Sequence, residues 1–296
     1  MRFLLAPITL FLFRDFGGSM KKLALCAFVL FVASTHVAFS AEAPAPAWDF
    51  AFGAKIMSDY NLRGISQSAR TPSYNGYGEL SYDWFYTGVA YYKTDLPNDP
   101  VGEVDLYGGI RKTFGSIGTD IGAVYYYYPD SKQLFDGATP ITPKNIDFYE
   151  IYAHVTWDAM DKLKFGGNIF YSPNWGNTGS PGTYGSLTGK LTLIDDLSAS
   201  TEIGHYWLGT ATRPGPPLAL VDYNYWNIGL TYAVNDAVSL DLRYHNTDLN
   251  KAQCFTDTGD PDGISTGKSP GFSSWCGSAV IATVSIDLLW SKVAHK

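Results

Sequence analysis

Nowhere in the 296 residues is there an apolar run long enough to cross a bilayer as a helix. The two longest, Phe3 to Phe13, broken by Pro7, and Leu23 to Ala33, have 11 residues each, where a spanning helix needs about 20. Charge is scarce as well. Asp, Glu, Lys and Arg make up 17% of the chain, below the share of roughly a quarter usual in soluble proteins. With 21 basic against 28 acidic residues the formal net charge is −7, which disfavours a nucleic-acid partner. Aromatic residues reach 16%, with 21 Tyr and 30 Gly, yet the mean hydropathy is only −0.07. That combination excludes disorder and a helical membrane bundle. It fits an all-β chain in which apolar and polar residues alternate and cancel in any window average.

The N-terminus carries export information. Met20-Lys21-Lys22, the apolar stretch from Leu23 and then Ala38-Phe39-Ser40 have the layout of a secretory signal peptide, cleaved after Ser40. Met20 is the better start, because Arg14 and Asp15 would interrupt a continuous signal, so residues 1–40 are read as an extension plus the signal. Their loss removes four bases and one acid and moves the net charge to about −10. Cys26 leaves too; its surroundings resemble a lipoprotein box only loosely, and lipidation is rejected. Cys254 and Cys276 remain, an even pair in an exported protein, which predicts one disulfide.

After a Pro-containing lead-in, residues 41–47, the period is two. Trp48, Phe50, Phe52, Ala54 and Ile56 alternate with Asp49, Lys55 and other polar positions. Twelve strand-like runs follow between Trp48 and Trp290, the first reading through to Ile65. The connections alternate in length. Short ones such as Asp158 to Asp161, Asp195-Asp196 and Asn235-Asp236-Ala237 have hairpin chemistry. Longer ones, Ser66 to Ser73, Asp95 to Gly102, Pro129 to Asn145, Ser172 to Gly182, Gly209 to Asp222 and Asn246 to Gly277, lie between them. All short turns fall at one end with both termini, which predicts a 12-stranded antiparallel up-and-down transmembrane β-barrel over 48–290, followed by a tail at 291–296. Outward registers such as Ile151, Val155, Trp157 and Leu240, Leu242, Tyr244 hold no charge, and Trp and Tyr recur at strand ends, as at Trp84, Trp157, Trp207 and Trp290.

Two segments carry a family likeness. Ser58-Asp59-Tyr60-Asn61-Leu62-Arg63-Gly64-Ile65-Ser66-Gln67-Ser68, followed by an aromatic hairpin around Trp84 to Val89, resembles the opening of the TorF porin family, also catalogued as the Gcw_chp domain of unknown function. The resemblance implies a barrel in the outer membrane of a Gram-negative bacterium and supplies no substrate.

Eight strands are plugged by their own side chains and 16 to 18 leave a wide channel, so twelve predict a narrow or partly obstructed pore. Its positive lining is expected from Arg63, Arg111, Lys164, Lys190 and Arg243, and its negative lining from Glu79, Glu103, Asp105, Glu150, Glu202 and Asp241. The excess of one acid predicts a weak cation preference, and Arg243 or Asp241 changed to Ala should alter conductance or ion preference. The expected function is passive diffusion of small hydrophilic solutes or ions, with no covalent chemistry, no cofactor and no metal. The other readings are a sealed barrel acting on lipid, for which outward-facing His205 is the one candidate, or a loop-mediated binding or structural protein. Expected partners are outer-membrane lipid, the barrel-assembly machinery and small hydrophilic solutes; a homo-oligomer is left open, since no subunit interface is marked.

The longest loop holds two decoys. Asp257, Asp260 and Asp262 before Gly263 invite calcium, but the ligand register fails and Lys268 stands where the closing Glu belongs. Gly267-Lys268-Ser269 ends like a phosphate loop without the strand and helix that such a loop requires.

Overall fold

The computed structural model describes residues 48–136, 138–140, 142–260 and 271–293. The signal-peptide, cleavage and lead-in readings, and the phosphate-loop look-alike, lie outside the described residues.

Twelve strands close into one barrel. They are β1 (Trp48–Met57), β2 (Ser73–Tyr82), β3 (Phe85–Tyr92), β4 (Glu103–Phe114), β5 (Ile117–Tyr127) and β6 (Phe148–Met160). Then come β7 (Leu163–Trp175), β8 (Ser180–Ile194), β9 (Leu197–Leu208), β10 (Tyr223–Ala233), β11 (Val238–Thr247) and β12 (Ala279–Leu289). Each strand pairs antiparallel with its neighbours in sequence, and β1 pairs with β12, from Ala51 opposite Leu289 to Met57 opposite Thr283. No edge is left open, and every ladder hydrogen bond is made within the barrel, as a bilayer demands.

The alternation read from the sequence decides which way each side chain faces. On the outer wall Ile121, Ile151, Leu187, Leu242 and Val280 are exposed. A sandwich would bury such residues; here they form the apolar belt of an outer-membrane barrel. Trp48, Tyr82, Trp84, Trp157 and Trp290 ring the short-turn end, and Lys112 lays its ammonium 3.0 Å from the Trp84 ring centre, snorkelling to the interface. The C-terminus is tied in. Trp290–Val293 is a single helical turn, and Ser291 bonds Asp49 of β1 through its backbone N (3.0 Å) and its hydroxyl (2.5 Å).

Most strand ends shift by a few residues from the sequence reading, and two regions differ by more. Ser172 to Gly182 is not a loop: β7 and β8 run on, pairing Ser172 with Gly182 and Trp175 with Ser180, so only Gly176 to Gly179 turns. More consequentially, the first strand stops at Met57 instead of Ile65. Residues 58–72 leave the wall and fold into the lumen, because Met57 on β1 already sits opposite Ser73 on β2. The barrel does not need this segment for its closure.

Candidate lumen plug and charged vestibule

The inward segment ends in a tight hairpin. Asn61–Leu62 pairs with Ile65–Ser66, and the two residues between them, Arg63 (φ 49°) and Gly64 (φ 92°), both have positive φ. This is a turn of the kind two-residue hairpins prefer, and Asn61 Oδ1 secures it by accepting from the Gly64 N–H at 2.9 Å. Glycine is required twice over at position 64. A Cβ there would lie 2.3 Å from Thr247 Cγ2 and 2.8 Å from the Tyr225 ring, besides adopting a disfavoured φ.

The turn presents Arg63 to the opposite wall. Its two terminal nitrogens donate to the two oxygens of Glu150 on β6, at 2.7 Å each, and Nη1 also donates to the Tyr206 hydroxyl at 3.1 Å. Phe170, Tyr184 and Tyr206 surround the guanidinium, with ring centres at 4.3, 4.7 and 5.2 Å. Tyr126 donates to Glu150 as well, at 2.9 Å. Glu150 is fully buried, so the fork geometry and the two tyrosines must offset its desolvation. Behind the turn, Tyr60 and Tyr128 donate to the two oxygens of buried Glu103, at 2.6 and 2.7 Å. Asp105 lies two residues along β4, with one carboxylate oxygen buried and unpaired.

The cysteine loop covers the plug. Cys254 and Cys276 are disulfide-bonded, and both pack with Ile65, Leu249, Trp275 and the tyrosine cluster. Ser66 N–H donates to the Trp275 carbonyl at 3.0 Å, while Arg70 pairs with Asp59 (3.1 Å) and donates to the Gly277 carbonyl (2.6 Å). The disulfide, worth about 3 kcal/mol in the chain-entropy model, therefore stiffens the lumen's cover and is itself buried. Its helix α1 (Lys251–Thr258) is capped by Asn250 and Gln253.

Asp257 of this helix is a docking group. Its Oδ1 accepts from the Val221 N–H at 2.9 Å, Oδ2 is buried without a partner, and burial pushes its carboxyl up to about 7. A raised folded-state value favours docking where the carboxyl is protonated, and this contribution is lost as the pH rises through 7. Amide-exchange protection of 251–258 is expected to fall as the pH rises from about 4 to about 7 and to level off above that, and Asp257→Asn to flatten the dependence. Of the calcium look-alike, Asp262, Gly263 and Lys268 lie outside the described residues; among the described residues no group of three acids, histidines or cysteines could hold a metal.

At this outer level each of the twelve strands contributes a buried inward residue, from Met57 on β1 and Glu103 on β4 to Tyr206 on β9 and Ile281 on β12. The outer half of the lumen is filled. Towards the short-turn end its inward side chains are charged and mostly paired with one another. There Arg111 bridges Glu79 and Asp120, at 3.0 Å each, and stacks on Tyr86 at 4.1 Å. Asp241 pairs with Arg243 at 2.8 Å, and Arg243 also reaches Asn227 and Ser200. Glu202 accepts from Tyr184 at 2.7 Å. Lys164 reaches Asp158 at 2.8 Å and stands directly opposite Lys190, which has no acidic partner among the described residues.

All eleven charged residues expected from the sequence thus project into the barrel interior, but not as one lining. Arg63 is on the plug and not on a strand, and Glu103, Asp105 and Glu150 belong to the filled half. Sequence reasoning missed Asp120 and the tyrosines at 60, 86, 126, 128 and 206, which carry the polar contacts. The available signal was the inward parity of tyrosines on strands whose outward faces were already aromatic.

A family model described as "Bacterial protein of unknown function (Gcw_chp)" matches residues 40–268. No curated protein matches the chain in sequence. Among solved structures, the NanC porin is similar over 82% of this chain and 98% of its own, at 11% identity and a TM-score of 0.42. The KdgM porin is similar over 80% and 98%, at 7% identity and 0.46. The outer-membrane channel DcaP of Acinetobacter baumannii is similar over 81% and 96%, at 9% identity and 0.39.

Proposed function

We propose that the chain, which belongs to the Gcw_chp family of bacterial proteins of unknown function, is a porin-like channel gated by its own residues 58–72. Small hydrophilic solutes or ions pass down their gradient when that segment leaves the lumen. The observation that carries this reading is the division of the interior. The short-turn half is lined by charges, and the outer half is filled by residues 58–72 together with inward strand residues and the cysteine loop, while the barrel wall closes without residues 58–72. Residues 58–72 add to the side chains that the strands contribute there, and they can leave without breaking a wall ladder.

The vestibule has a field across it. Asp49 and Asp287 face inward on β1 and β12, and Lys190, which has no acidic partner among the described residues, faces inward on β8 across the circle; Glu79 and Lys164 are neutralised by Arg111 and Asp158. Fixed charges of opposite sign on opposite walls orient a dipolar solute and slow an apolar one. With the acids still in excess, the expected preference remains weakly for cations.

The test is planar-bilayer conductance of the refolded chain 41–296, with the reversal potential read under a salt gradient. Wild type should show a quiet baseline with infrequent discrete openings. Gly64→Ala, which keeps every charge but cannot seat the turn, should stay open for most of the record. Silence from both proteins, each shown to be folded, would overturn the channel reading.

A further inference from the structure

One rung of the inner wall near the short-turn end crosses five strands. In register order it holds Lys164 on β7, Lys190 on β8, Ser200 on β9, Gly229 on β10 and Arg243 on β11. Two lysines directly opposite each other on paired strands repel. No acid offsets Lys190, whose charged neighbours are Lys164 and Arg243, both cations. The nearby acids are committed elsewhere. Asp158 meets Lys164 from β6, on the far side from Lys190, through a half-exposed contact of 2.8 Å. Asp241 is held by Arg243 and by the Thr231 hydroxyl at 2.7 Å, and Glu202 accepts from Tyr184 and Asn227.

The rung is also a row of hydrogen-bond donors that lacks an acceptor. Gly229 has no side chain, and a Cβ there would lie 2.8 Å from Arg243 Cζ, so the guanidinium lies across the glycine and donates to the Ser200 hydroxyl oxygen at 2.8 Å. With that oxygen accepting, Ser200 still has its own hydroxyl proton to donate, and it finds no acceptor among the described residues. The next side chain along the rung is Lys190, which only donates. Its ammonium brings three N–H groups, and Lys164, after Asp158, has two left. Ser200 is buried, whereas Lys164 and Lys190 are partly exposed, so the row is fixed at one end and reachable by a solute at the other.

The donors also select the shape of what they bind. The Arg243 nitrogens are engaged by Asp241, Asn227 and Ser200, so no planar fork is free for a carboxylate. Compact ammonium groups and a hydroxyl, projecting from adjacent strands whose Cβ atoms stand about 5 Å apart, suit a tetrahedral oxyanion with acceptor oxygens turned in different directions. We propose that Lys164, Lys190 and Ser200 form a phosphoryl-binding site at the periplasmic mouth of the barrel. It takes inorganic phosphate or the phosphate group of a small monoester, and Arg243 is its positioning residue, holding the Ser200 hydroxyl. All four residues belong to the wall, so the site is in place whether residues 58–72 are in the lumen or out of it.

The test is phosphorus NMR of inorganic phosphate titrated with the refolded chain 41–296 in a phosphorus-free detergent, at constant ionic strength in chloride, with folding verified by gel mobility before and after heating. The pH is held at about 8, where a phosphate monoester is a dianion. Wild type should broaden the line, and Lys190→Gln or Lys164→Gln should each weaken the apparent affinity about tenfold or more. Lys112→Gln, which removes a charge from the outer wall, should leave the broadening unchanged. Glycerol phosphate should displace phosphate at equal concentration, and succinate, a dianion of planar carboxylates, only at about tenfold higher concentration. No broadening by folded wild type, or full broadening in folded Lys190→Gln, would overturn the proposal. So would a loss in Lys112→Gln equal to that in Lys190→Gln, or displacement by succinate as effective as by glycerol phosphate, because the anion would then be a diffuse counter-ion. Binding is read without current, so a barrel that binds phosphate and never conducts removes the channel and keeps the site.

Discussion

Replacing residues 59–70 by Gly-Ser-Gly-Ser is expected to raise the time-averaged conductance of the refolded barrel ~10-fold or more, converting brief openings into a continuous step. The substitution is sterically simple, since Met57 and Ser73 already face each other and a short link closes that hairpin without disturbing any ladder. It removes Tyr60, Arg63 and Ile65 from the lumen together, and with them the contacts to Glu103, Glu150 and the tyrosine cluster. Glu103 and Glu150 would then meet water in the opened channel. Cation preference should consequently increase relative to the rare openings of wild type, seen as a larger reversal potential under the same gradient. A folded variant that conducts no better than wild type would mean that the cysteine loop alone closes the outer mouth.

Arg63→Ala is expected to have the largest energetic effect of any single substitution in the loop. Truncation leaves Glu150 buried without its cation and facing an empty aromatic cage, and removing one partner of a buried pair costs about 3–5 kcal/mol. The loss falls on docking of residues 58–72, because the strand ladders are made without them. Proteolytic cleavage or amide exchange within 58–72 should therefore accelerate by about two to four orders of magnitude, with little change in the heat required to unfold the barrel. Arg63→Ala combined with Glu150→Gln should recover much of this, because the uncompensated charge is gone. If the double variant is as labile as the single one, the cation's packing between Phe170, Tyr184 and Tyr206 holds the loop, and the ion pair does not.

The strands were legible because the solvent on each side imposes a rule on alternate residues. Ile151, Val155 and Trp157 can face only lipid, and Glu150, His154 and Thr156 only the interior, so one pass along β6 yields both faces and the register of the barrel. The hairpin turns were legible for a similar local reason: Asp195-Asp196 and Asn235 to Ala237 have few conformational options. The plug was not. Residues 58–65 continue the alternation of β1 closely enough to read as the same strand, and what ends it is the contact of Tyr60 and Arg63 with residues 43 to 143 positions away. Arg63 was identified as an interior charge from its parity, yet the partner that holds it, Glu150, could be paired with it only in space. The tyrosines escaped for another reason: an inward tyrosine and an outward one have the same letter, and only the hydroxyl's destination separates a girdle residue from a carboxylate's hydrogen-bond donor.

By itself the sequence determined that this chain makes twelve antiparallel strands with an apolar outer wall, a charged interior and short turns at one end. Those properties follow from period-two sterics and from the cost of leaving backbone groups unpaired in lipid, both of which act residue by residue. Only the tertiary structure decided whether the interior is a channel or a stopper at its outer half. That choice rests on Arg63, Glu150 and the cysteine loop meeting across the lumen, and a balance between burying charge and pairing it is struck between residues that are distant along the chain.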